Sequence, residues 1–174
     1  MLKIVVLLVV SLLQGQALAQ SKTWTYGKLP NGATHYAVTT NDSGSLLLQS
    51  CVIAKGKCFW SIAITTSCDE DSVYPILVAS DKGAKHMQLT CGGSYKHEGK
   101  DYYTYFLDFD ATDRIVRSGA STIAIAMSLK SGSIRVNRFD LTDAVNAIDS
   151  MRAFARQQAD QPQNQRKSTQ DQYL

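Results

Sequence analysis

The chain has 174 residues and a net charge of +3 at pH 7, from 18 Lys and Arg against 15 Asp and Glu. Without Lys3, 17 basic residues face 15 acidic ones, an excess too small to hold nucleic acid or anionic lipid by charge. The length suits one domain with a proper core.

The N-terminus has the parts of an export signal in order. Lys3 is a positive start, Ile4 to Leu13 is an apolar run, and Ala17-Leu18-Ala19 is a small-x-small cleavage site. The run breaks at Gln14, short of the ~20 apolar residues that span a bilayer. Residues 1–19 therefore read as a signal peptide, cut before Gln20, leaving no integral membrane segment.

From Thr34 onward, short β-branched and aromatic runs alternate with turn residues, as strands in hairpins do. The runs are Thr34 to Thr40, Ser45 to Ile53, Cys58 to Thr66, Val73 to Ser80, Lys85 to Cys91, Asp101 to Phe109, Thr122 to Leu129 and Ser133 to Phe139. Roughly eight strands in sequential hairpins predict an antiparallel sandwich or barrel, with chain neighbours paired. The period then changes. Leu141, Ala144, Val145, Ile148, Met151, Phe154 and Ala155 form one apolar helical stripe, with Asp140 as its N-cap. From Gln157 to Leu174 the chain is polar and glutamine-rich, and it reads as a disordered tail. The expected organisation is a signal peptide (1–19), one β domain with a C-terminal helix (20–156), and the tail (157–174).

All four cysteines fall in the exported part, and an even count in an oxidising compartment predicts two disulfides. Their gaps are too wide for the close pairs of a four-cysteine zinc site. In a meander, Cys51 and Cys58 flank one turn, while Cys68 and Cys91 meet at the opposite end of the sheet. The expected bridges are therefore Cys51–Cys58 and Cys68–Cys91, since a disulfide spans only neighbouring Cα atoms.

Chemistry-bearing residues are sparse. Asp69-Glu70-Asp71 and the trio Asp108, Asp110 and Asp113 offer oxygens, but the trio lacks the EF-hand pattern, and the two read as a solvated loop and a polar strand end. His35, His86 and His97 stand apart, with no Gly-x-Ser-x-Gly elbow, His-Glu-x-x-His or Walker loop. No catalytic residue, metal ligand or cofactor is assigned. Alternation puts Tyr103 and Tyr105 on one face of their strand and Tyr102 and Phe106 on the other. Tyr103 and Tyr105 are the candidate partner surface, against cross-strand packing within the sheet. Asn41-Asp42-Ser43 matches a glycosylation acceptor, which in a bacterium is only a turn.

The ending Ser128-Leu129, then Gly132, then Phe139-Asp140-Leu141-Thr142-Asp143-Ala144 resembles the finish of bacterial exported proteins of the invasion-associated locus B type. The resemblance implies a small cysteine-containing periplasmic or surface protein whose last strands lead into a short helix. It favours a non-enzymatic binding or accessory protein of the envelope with a protein partner. The alternatives are a periplasmic inhibitor or immunity protein, and a small envelope hydrolase with His86 or His97 as base.

Overall fold

The computed structural model describes residues 23–52 and 55–167, with side chains in the last helix described through Gln158. The expected signal peptide and residues 168–174 of the expected tail lie outside the described residues.

Nine strands form one antiparallel sheet: β1 (Thr25–Lys28), β2 (Thr34–Thr40), β3 (Leu46–Val52), β4 (Lys57–Ile64), β5 (Val73–Ser80), β6 (Gly83–His97), β7 (Lys100–Leu107), β8 (Thr122–Ser128) and β9 (Ile134–Asp140). Two helices join them, α1 (Phe109–Arg117) and α2 (Ala144–Lys167). The turns form where the residues demand them. At Asn41 to Ser45, the Asn41 side-chain oxygen accepts from the Ser43 and Ser45 amides at 3.0 and 2.9 Å, and Gly44 takes a φ of 75°.

The order across the sheet is β1-β2-β3-β4-β7-β6-β5-β8-β9. The simple meander is thus corrected at two places, because β4 pairs with β7 and β5 with β8. The physical reason is reach. A hairpin turn confines the next strand to the adjacent position, whereas residues 65–72 easily span the three strand spacings, about 14 Å, from β4 to β5. Neither a two-sheet sandwich nor a ladder closed from β9 to β1 appears among the described residues. The single sheet curls, so that Ser45 Oγ donates to Asn137 Oδ1 at 3.2 Å and Trp24 Nε1 to the Asp140 carbonyl at 2.9 Å.

The concave face holds the core. Leu47, Trp60, Ile62, Leu89, Ile123 and Ile125 are fully buried there. The apolar stripe of α2 lies across β1 and β2, with Ala144, Ile148, Met151 and Ala155 fully buried. The helix starts at Ala144, not beside Asp140, whose carboxylate instead accepts from the Thr142 amide in the turn leaving β9. It also continues to Lys167, so residues 157–167 are helical where an irregular tail was expected. Glutamine, alanine and arginine extend a helix readily once a packed turn has nucleated it.

Both disulfides have the expected pairing, Cys51–Cys58 with Cα atoms 4.0 Å apart and Cys68–Cys91 with Cα atoms 6.1 Å apart. Each depends only on a local hairpin, so the changed strand order leaves the pairing intact. Cys51 faces Cys58 across the β3–β4 ladder, and the β5–β6 hairpin brings Cys91 back beside the loop that holds Cys68.

Candidate interaction surface

The sheet is split between β4 and β6. β7 pairs with β4 only from Trp60 onward and with β6 only from Leu89 onward, because the chain leaves the sheet after Leu107 and turns into α1. Asp108 starts that helix, its carboxylate accepting from the Ala111 amide at 2.7 Å. The acidic trio is therefore a helix start rather than a strand end, and the expected strand to Phe109 stops at Leu107. An N-cap aspartate, an acid in the first turn and Arg114 and Arg117 in the last were the sequence signal for α1.

Among the described residues, Gly83–Gln88 consequently have β5 on one side and no strand on the other. Between this open edge and α1 runs a cleft of about 830 Å³. Lys85, His86, Met87 and Gln88 line one wall, Asp108, Asp110, Ala111 and Arg114 the other, and Phe106 and Leu107 the inner end. The volume is within the usual range of ligand clefts, about 300–1,000 Å³.

Around the edge of the cleft lies the convex face of β5, β8 and β9. The register sets His86, Leu77, Ala126 and Val136 in one row across four strands, with Ile134 one row away. Val73, Leu77, Ile134 and Val136 are 53%, 39%, 68% and 48% exposed. Apolar side chains grouped in this way on a sheet face mark a contact surface more often than scattered ones do.

A separate polar cluster ties the helices to the concave face. Gln49 on β3 is fully buried; its Nε2 donates to Asp113 Oδ1 at 3.0 Å, and its Oε1 accepts from Arg152 Nη2 at 2.9 Å. Arg117 bridges Asp113 and Asp149, both at 3.0 Å, and the hydrogen bond to Asp149 chiefly raises its pKa. Every charge here has a partner in α1 or α2, so the cluster is an anchor for the helices.

The tyrosine surface does not form as expected. Tyr105 is 0% exposed, and its hydroxyl donates to the Thr66 carbonyl at 3.0 Å. Burial, then Tyr74, pushes its pKa up to about 12. Tyr103 is half-buried against the core. The pair lies on the concave face, while Phe106, on the other face of the strand, lies over Gly92, where a Cβ would come within 2.2 Å of the ring. The sequence showed which tyrosines share a face, but not which face is inward.

The histidines do not converge. His35 is buried against Phe154 without a hydrogen bond, and His97 lies 3.9 Å from exposed Glu98. His86 lines the cleft with two carboxylates, but no serine or cysteine lines it. Among the described residues no three His, Cys, Asp or Glu side chains are placed to hold a metal ion.

No family model matches the chain, and no curated protein matches it. Among solved structures, invasion associated protein b from Bartonella henselae is similar, with a TM-score of 0.50 and 14% identity over 76% of this chain and 94% of that one. At that identity the likeness is one of fold, and it agrees with the resemblance at the end of the β domain: the chain shares the architecture of an invasion-associated protein.

Proposed function

We propose that the protein is exported and acts as a non-enzymatic accessory protein of the bacterial envelope, holding a protein partner against the convex face of β5, β8 and β9. The observation that carries this reading is the group of exposed apolar side chains on this face: Leu77 and Val136 on either side of Ala126 in one row, with Ile134 one row and Val73 two rows away. Folded chains rarely leave such a group uncovered without a use for it. The two disulfides support an oxidising compartment. The N-terminal pattern and the fold likeness support the envelope.

The test is crosslinking in the native envelope followed by capture of the protein. A Leu77→Lys/Val136→Lys variant places two charges on the row without touching the core. It should be exported and oxidised normally yet lose the partner that the wild-type protein captures. Capture of the same partner in equal yield would refute this surface, and capture of none by the wild-type protein would refute the reading itself.

A further inference from the structure

We propose that the cleft beside α1 takes an extended, acidic peptide segment of the partner, added as a tenth strand to the open edge of Gly83–Gln88. The inference deepens the proposed function and rests on it, since the segment belongs to the partner.

The backbone supplies the first part of the argument. The Cys91 amide donates to the Ser72 carbonyl at 2.9 Å, which fixes the parity of β6. Odd-numbered residues bond towards β5, so Ala84, His86 and Gln88 turn their N–H and C=O groups towards the cleft. Pro75 stands opposite Gln88, a position that needs no amide for this ladder. Where β7 ends, these groups have no strand to pair with. An open edge with backbone donors and acceptors at strand spacing is a template for β-augmentation.

The walls choose the occupant. α1 stands over the cleft, so the edge is recessed, and a second copy would bring its own α1 into the same space. A single extended segment avoids that clash. Lys82, Lys85 and Arg114 border the Gly83 end, whereas Asp108 and Asp110 lie on the wall of the cleft itself. Inward side chains of an added strand would meet Met87 and Ala111, then Lys85 and Arg114. That sequence of contacts suits a small apolar residue followed by a carboxylate.

The test uses a random dodecapeptide library displayed on phage, selected on the exported, oxidised protein. Enriched peptides should carry an acidic residue and slow deuterium exchange at the His86 and Gln88 amides. His86→Ala keeps the amide and should weaken binding far less than a variant that removes the amide. His86→Pro also removes the cleft-facing donor and should weaken binding roughly tenfold or more relative to His86→Ala, the loss of one well-placed hydrogen bond plus strand mispairing. The exchange measurement needs no variant, so it decides the matter even if His86→Pro fails to fold. Absence of any enriched sequence, equal binding by His86→Pro, or protection elsewhere would overturn the proposal. Protection of the same amides that grows with protein concentration alone would overturn it too, in favour of a second copy. An envelope partner that still binds His86→Pro would sink this inference while keeping the function above. Enriched edge-binding peptides without any captured partner would do the reverse.

Discussion

Replacing Gln49 with leucine tests whether the two helices are anchored through one buried amide. The wild-type side chain makes two hydrogen bonds to charged partners, Asp113 and Arg152, each worth ~1.5–3 kcal/mol. The variant leaves no lone charge, because Asp113 keeps Arg117 at 3.0 Å and Arg152 at 3.6 Å. Burial of the leucine returns about 1–2 kcal/mol, so the net loss should be about 2–4 kcal/mol. With a urea slope of about 2 kcal/mol/M, the midpoint of the oxidised protein should fall by roughly 1–2 M at an unchanged slope. A shift under about 0.3 M would refute the reasoning, since it would mean that water replaces the amide at no cost. A changed slope would point to altered compactness instead.

Two further perturbations follow from the same structure. The bridges close sequence separations of 7 and 23 residues, which loop entropy converts to ~2.4 and ~3.4 kcal/mol. Replacing the Cys68–Cys91 pair with alanine should therefore lower the urea midpoint more than replacing Cys51–Cys58; the reverse order would show that native packing around the bridges, not loop length, dominates. Tyr105 titrates at about 12 in the fold and near 10 unfolded. The folded state thus holds its proton more tightly, and the stability this confers is complete below pH 10 and lost between pH 10 and 12. Tyr105→Phe should flatten that alkaline decline in thermal midpoint, and an unchanged decline would assign it to other groups.

Much of the fold was legible because local chemistry decides it. Val73 to Ser80 alternates inward and outward side chains between turn residues, and the strand occupies those residues. The α2 stripe keeps helical spacing over several turns and packs as a core face. Both bridges could be placed because each needs only a hairpin. What the pattern missed was short or non-local. β1 has four residues, too few for a period to show. α1 has nine residues and opens on carboxylates that also read as a polar strand end. The expected strand stops at Cys91, before Gly92-Gly93. Instead β6 continues to His97 through a register shift, because glycine admits the Phe106 ring.

The cleft lay beyond the sequence for a reason that also explains its form. Nothing in Gly83 to Gln88 distinguishes a paired strand from an open edge, and the difference is set by where β7 stops. β7 stops because Asp108 caps a helix, and that helix matters only because β7 sits between β4 and β6 rather than at the sheet's rim. Had the strands paired as a simple meander, β5 would have covered β4, while β7 would still have met β6 through their shared hairpin. The order β4-β7-β6 instead lets β7 seal β4 from Trp60 and β6 from Leu89, and departs before sealing the rest. One capping aspartate just past the end of an inserted strand thus opens an edge inside the sheet. Removing that cap with Asp108→Ala, which costs ~1 kcal/mol of helix stability, should loosen α1 and speed deuterium exchange at Ala111 and Thr112, while the β5–β6 amides stay protected.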